Sequence, residues 1–237
     1  MERNRDFGGD QKVTLSPDAF FNLATYAHRA LFDGVAHVWE ALNKIDAYLA
    51  EHLEPGVHGS VHPGAWVDEN VYIGPGAVVE PGAWIQGPAI IGAGTVVRHG
   101  AYIRGSCVIG ESCVIGHATE LKRAILLDRA QAPHFNYVGD SILGSGVNLG
   151  AGTKLSNFKN DGTEVVVRTA EGPIRTGMRK FGAVLGDRVH TGCNSVTSPG
   201  TLVGPDCAVY AGAVLRGVYP AGSIIKLRQQ LEIVLKT

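Results

Sequence analysis

The sequence predicts an all-β protein, a parallel β-helix of hexapeptide repeats with a small helical element in front. Three observations carry this. Val61, Val67, Ile73, Val79, Ile85, Ile91, Val97, Ile103, Ile109, Ile115, Leu121 and Leu127 form twelve consecutive aliphatic positions spaced by six. Four residues after many of them comes a small residue, as at Ala65, Ala77, Ala83, Ala89, Thr95, Ala101, Cys107, Cys113 and Thr119. Glycines such as Gly74, Gly76, Gly82, Gly92 and Gly94 fill the positions between, where a chain turning a tight corner needs them. Period six with short extended runs and glycine corners is the pattern of a solenoid, with three faces making a coil of about eighteen residues. Coils stack at roughly 4.8 Å, so stability accumulates between neighbours.

Ahead of the repeat, residues 1 to 13 are polar and expected to fray. Ser16 followed by Pro17 reads as an N-cap and first helical position of a short helix. Asp33 can cap a second helix, in which Val35, Val38, Trp39, Leu42, Ile45 and Leu49 recur at spacings of three and four. Pro55-Gly56 ends that pattern. Residues 1–56 are therefore a helical extension whose apolar stripe packs on the main body or on a neighbouring subunit.

The β-helix proper is assigned to residues 57–222. A second run at the same spacing, Leu185, Thr191, Thr197, Val203, Val209 and Leu215, adds two coils. Between the runs the frame breaks twice. After Leu127 the next slot falls on Pro133, and the series resumes at Leu143, Leu149 and Leu155, which reads as an inserted loop over 133–142. The second break, 156–184, alternates turn residues (Asn160-Asp161-Gly162, Glu171-Gly172-Pro173) with extended runs, the mark of a hairpin excursion. Loops on a rigid scaffold are where sites tend to sit. Residues 223–237 are expected to cap the last coil, as the N-terminal helices cap the first.

With 45% hydrophobic residues and a formal net charge of -1, the chain suits one sizeable soluble core. It offers no basic run for a phosphate backbone, so nucleic acid is not an expected partner. No apolar stretch approaches the roughly 20 residues of a membrane helix, and Met1 to Asp6 lack a signal-peptide core, so a cytoplasmic setting is expected. Cys107, Cys113, Cys193 and Cys207 show no CxxC spacing and read as free thiols, three of them at small inward positions.

Arg104 and Lys122 stand eighteen apart, each directly after an inward aliphatic residue, so they stack on adjacent rungs of one face. They are either a solvated pair partly offset by Glu120 or a clamp for an anion such as phosphate. His134, at the frame break, is either a hydrogen-bonded loop histidine or a general base, since an imidazole accepts a proton near neutrality. His99 and His117 are also one coil apart, but no third ligand matches them, so no metal site is expected. Gly144-Ser145-Gly146 and Gly150-Ala151-Gly152 lack the lysine and the strand-to-helix context of a phosphate loop.

The stretch Pro133-His134-Phe135-Asn136-Tyr137-Val138-Gly139-Asp140, with Val147-Asn148-Leu149-Gly150-Ala151-Gly152-Thr153 and Asn157-Phe158, resembles a known family. It is similar to the acetyltransferase domain of the bifunctional N-acetylglucosamine-1-phosphate uridyltransferase / glucosamine-1-phosphate acetyltransferases, whose motifs read His-Leu-Thr-Tyr-Leu-Gly-Asp, Val-Asn-Ile-Gly-Ala-Gly-Thr and Asn-Tyr. The resemblance spans about 103–158 and, more loosely, 185–217, and is nearest the archaeal type. It implies a left-handed coil, acetyl-CoA as co-substrate and an amino-sugar phosphate, glucosamine 1-phosphate foremost, as acceptor. It also implies a homotrimer with the site between subunits. Matched residue by residue, it makes His134 the base and places Asn157 by the reacting amine. Arg104 and Lys122 fall on the phosphate ligands, Tyr137 and Asn148 on the sugar ligands, and Ala151, Cys193 and Ala211 along the acetyl-CoA site. Phe158 replaces a tyrosine and Cys193 a serine of the bacterial proteins. No nucleotidyltransferase motif is present in this sequence, so a separate nucleotidyltransferase is a possible partner. The alternative is a non-catalytic trimerisation module that binds a sugar phosphate or nucleotide sugar.

Overall fold

The computed structural model describes residues 14–236; the expectations for residues 1–13 lie outside that range. The repeat folds as a three-faced, left-handed parallel β-helix. Face A, nine strands, runs from Gly56–Val57 to Val218–Tyr219. Face B, also nine, runs from Ser60–Val61 to Ile224–Ile225, and face C, eight strands, from Trp66–Val67 to Val214–Leu215. Every ladder among these faces is parallel.

The period-six aliphatics point inward and stack by type: Ile73, Ile91 and Ile109 on face A, Val79, Val97 and Ile115 on face B, Ile85, Ile103 and Leu121 on face C. All belong to one core, where burying such a side chain stabilises by about 1.5–3 kcal/mol relative to exposure. The small positions between them fit the narrow corners. Thr95 keeps its hydroxyl satisfied there by donating to Gly110 O at 2.8 Å and accepting from Cys113 N at 2.9 Å. Cys107, Cys113 and Cys207 are buried free thiols and Cys193 is exposed. Burial pushes the Cys107 and Cys113 thiols up to about 12.

The helical element packs on the main body, but it differs from expectation in form and does not sit at the end of the stack. It consists of 3-10 turns at Pro17–Ala19, Arg29–Phe32 and Val38–Lys44, followed by one α-helix, α1, at Ile45–His52. Asp33 caps nothing at an N-terminus, because Gly34 at φ 70 turns the chain away; His37 and Glu40 form the capping box instead. Ser16 sits in extended backbone before Pro17 without a side-chain cap. Nor do these turns cover the end of the stack. Trp39, Leu42, Ile45 and Phe32 pack on the outer side of face A, over Ile90, Val108, Ile125 and Ile142 of the same chain.

The first frame break is not an inserted loop. Residues 131–143 continue the coil as strands Gln131–His134, Tyr137–Gly139 and Ile142–Leu143. What changes is coil length. Val96 pairs with Val114, eighteen on, whereas Ile115 pairs with Ala132 and Leu121 with Val138, seventeen on. One residue is dropped at the corner from face C to face A, where the inward slots Leu121 and Leu126 are five apart, and again between Val138 and Leu143. Leu126, not Leu127, therefore fills the core.

The second break leaves from that same corner. Strands Val166–Thr169 and Gly172–Arg175 form an antiparallel hairpin, as the turn residues predict. It is pinned by buried Val165, Val167, Met178 and Phe181, the last packing against Trp39. At the C-terminus, Ile225 and Leu227 pack on the core, but residues 226–236 form no strand or helix. Leu231 and Ile233 are 87% and 93% exposed, so this segment does not fold over the last coil.

Candidate active site

The corner from face B to face C stacks one residue per coil into a column. His117 is in register with His134, Gly152 N–H donates to His134 O (3.0 Å), Asn194 N–H to Ala151 O (2.8 Å) and Gly212 N–H to Cys193 O (2.8 Å). The column thus runs His99, His117, His134, Ala151, Cys193, Ala211. Spacing had linked only His99 with His117; the 17-residue coil adds His134. The His99 and His117 rings lie parallel at 5.4 Å. Their Nδ1 atoms approach Pro81 O (2.7 Å) and His99 O (2.9 Å), so each N–H is on Nδ1 and each Nε2 faces outward. Among the described residues no group of three or more His, Cys, Asp or Glu could hold a metal ion.

The residue after each column member takes a left-handed backbone: Gly100, Ala118, Phe135, Gly152, Asn194 and Gly212 all have positive φ. Phe135, at φ 53 and 57% exposed, is the bulky exception, its ring set edge-on to His117 at 5.5 Å. A large side chain in that region costs of order 1 kcal/mol and usually marks a constraint beyond folding. Buried Asn136 then anchors the turn. It accepts from His134 N (3.1 Å) and donates to Gly150 O (2.8 Å), fixing the His134 backbone while the imidazole stays exposed.

Across the corner, face C carries the polar network. Arg104 and Lys122 follow paired Ile103 and Leu121, so they neighbour one another as spacing predicts. Each has its own carboxylate: Arg104 donates to Glu120 at 2.6 Å, and Lys122 to Asp140 at 3.3 Å. The Glu120 hydrogen bond raises the Arg104 pKa above its usual value. One donor is used of the guanidinium's five and one of the ammonium's three, leaving capacity for a shared anion.

Asp140, 1% exposed, is the centre of this network. The shortened corner turns it inward at φ 45, where it also meets Arg123 at 3.8 Å and accepts from Asn157 Nδ2. Asn157 Oδ1 in turn accepts from Tyr137 OH at 3.3 Å. Burial, then the Glu120 and Asp140 charges, raise the Tyr137 pKa, so its hydroxyl stays a donor. Arg104, Lys122, Tyr137 and Asn157 thus share one network beside the His134 corner. Asn148 does not join it. It lies on face B, in register with Gln131 and His190, across the corner from Tyr137.

Asp140, Glu120, Asn136 and Phe135 were not among the site residues singled out from the sequence. A 17-residue register would have found Asp140, because it places that residue one coil beyond Arg123, beside Lys122.

Residues 85–192 match the family described as the GMPPB C-terminal domain. The chain is similar to a bifunctional sugar-1-phosphate nucleotidylyltransferase/acetyltransferase of Sulfurisphaera tokodaii, 37% identical over 46% of this chain and 27% of that protein. It is also similar to the bifunctional protein GlmU of Methanococcus maripaludis, 32% identical over 50% of this chain and 28% of that one. The chain thus spans under a third of the length of these curated relatives. Among solved structures, the UDP-N-acetylglucosamine acyltransferase from Campylobacter jejuni aligns over 68% of this chain and 69% of its own, with 16% identity and a TM-score of 0.42.

Proposed function

We propose that the protein is an acetyl-CoA-dependent N-acetyltransferase acting on an amino-sugar phosphate, glucosamine 1-phosphate first among candidates. The observation that carries this reading is the column: His134 stands in line with Ala151, Cys193 and Ala211, the positions along which the resemblance runs acetyl-CoA. The thioester then arrives directly below the imidazole. Arg104 and Lys122 hold the phosphate on face C, Tyr137 and Asn157 orient the sugar, and His134 takes the proton released as the amine attacks the thioester carbonyl. Carbon–nitrogen bond formation expels the thiolate, which leaves as CoA thiol on taking a proton. The Gly152 N–H is committed to His134 O, while the Ala151 N–H makes no hydrogen bond among the described residues. It is the candidate donor to the oxyanion, an interaction worth several kcal/mol when preorganised.

In one chain the site lies open. Arg104 is 41% exposed, His134 is exposed, and Asn148 lies across the corner. A homotrimer would close it, with the Asn148 face of one copy set against the Tyr137 face of the next. The free buried thiols suit a reducing cytoplasm. Thiol release from acetyl-CoA over a panel of amino sugars, with and without a 1-phosphate, tests the activity. Light scattering on the same sample tests the assembly. Silence with every amino sugar, or a stable monomer that turns over at full rate, contradicts the respective claim.

A further inference from the structure

A cavity on face C begins beside Asn157 of the acceptor network and extends away from Lys122. Arg216 follows Leu215 as Lys122 follows Leu121, so the two share one column four rungs apart, about 19 Å at the usual strand spacing. The cavity, about 670 Å³, lies between the hairpin and the last coils, lined by Phe158, Arg168, Pro173, Val196, Pro199 and Arg216 among others. That volume is in the range of small-molecule sites.

Its walls are fixed. Gly200 (φ 81) and Gly217 (φ 96) sit at the corner under the hairpin. A Cβ on Gly200 would come within 3.0 Å of Val166 O, and one on Gly217 within 3.4 Å of Arg168 O. The absence of side chains there lets the hairpin backbone lie directly on the coils, while buried Val165, Val167 and Phe181 hold it from behind.

The lining is chemically lopsided. Lys159 is engaged by Asp161 at 3.3 Å. Among the described residues the guanidinium groups of Arg168 and Arg216 make no hydrogen bond or ion pair, and Asp161, the one carboxylate of the lining, is the partner of Lys159. Beside the two lie an exposed aromatic ring, Phe158 at 42%, and two prolines. Two uncompensated planar cations next to an apolar, aromatic wall suit a ligand with a phosphate for the forks and a flat base for the ring.

We propose that this cavity binds a nucleoside phosphate, with the phosphate on Arg168 and Arg216 and the base against Phe158. Two sources share that chemistry: the nucleotide end of the acetyl donor, which rests on the proposed function, or a separate nucleotide. Binding is read without turnover, so the site and the acetyl transfer fail independently.

The test is calorimetric titration of the full chain with adenosine 3′,5′-bisphosphate, adenosine and inorganic phosphate. The bisphosphate binds, each half binds more weakly, and added salt weakens the phosphate-bearing probes. The Arg168→Gln/Arg216→Gln variant weakens the bisphosphate at least tenfold with its melting temperature unchanged. Phe158→Ala weakens the bisphosphate but not inorganic phosphate. If the donor supplies the nucleotide, acetyl-CoA displaces the probe, and the double arginine variant raises KM for acetyl-CoA but not for acetylpantetheine. If the nucleotide is separate, the probe binds equally well with acetyl-CoA present. No binding of the bisphosphate, or equal binding by wild type and the double arginine variant, overturns the proposal.

Discussion

The coils before Leu121 and those between Leu121 and Leu155 share three faces and the same aliphatic filling, yet they differ by one residue per turn, always at the corner from face C to face A. In the 18-residue coils that corner is, for example, Arg104-Gly105-Ser106-Cys107, a turn from an exposed arginine to a buried thiol. Of the two shortened corners, Lys122-Arg123-Ala124 is partly exposed and Gly139-Asp140-Ser141 is buried, with Asp140 turned under Lys122 and Asn157. At Arg104 the regular corner leaves its cation in solvent; the shortened corner at Asp140 buries a carboxylate among cations and an amide and so fixes side chains on the face above. The long excursion leaves from the same corner. One edge of the solenoid thus carries every departure from the repeat between Leu121 and Leu185.

The largest change expected from this difference is at Asp140. Asp140→Asn keeps shape and tolerance of positive φ but removes the charge opposing Lys122 and Arg123. Those two are about a quarter exposed, which moderates the usual cost of unpairing a buried ion, so a loss of about 2 to 3 kcal/mol is expected in urea unfolding. Asp206→Asn removes the partner of Arg188 at a fully exposed corner of a regular coil and should leave the urea midpoint unmoved. Equal effects at the two positions would contradict the contrast.

A smaller effect separates the two cations of the clamp. Lys122 stands over the shortened corner at 24% exposure, whereas Arg104, one coil earlier, is 41% exposed. Lys122→Ala should raise KM for a phosphorylated acceptor roughly tenfold, about 1.4 kcal/mol, with kcat little changed. Arg104→Ala should cost less, and initial-rate kinetics on both variants checks the order.

The repeat, its three faces, the hairpin and the Arg104/Lys122 pairing were legible because each follows from spacing along a strand ladder. The shortened corner was not. Losing one residue from a six-residue frame looks in sequence like an insertion when Leu127, itself aliphatic, occupies the nominal slot beside the true inward residue Leu126. That masking hid Asp140, although Asp140 lies within the motif that carries the family resemblance. The helical element was readable as apolar but not in its place, since its stripe serves equally for an end cap, a partner or the outer side of face A. The C-terminal apolar run Ile233-Val234-Leu235 gives no periodicity that predicts exposure.

The smallest effect concerns that helical element. His28 contacts Tyr48 OH at 2.9 Å and its pKa is lowered, chiefly by burial. A histidine that binds its proton less well folded than unfolded stabilises the fold above its unfolded value of 6.5, and that contribution falls as pH drops below it. Urea midpoints should therefore decline from pH 7.5 to 5.5, and His28→Gln should flatten part of that slope. An identical slope in the variant would show that other groups set it.

The most direct test of the account is His134→Ala, with kcat and melting temperature measured on one preparation. His134 has an exposed imidazole while Asn136 secures its backbone, so the variant should melt as the wild type does and still bind acetyl-CoA. Its kcat should fall by about 10² to 10⁴, the contribution of a positioned general base. An unchanged kcat with a lowered melting temperature would make His134 a structural residue and contradict the assignment of this corner as catalytic.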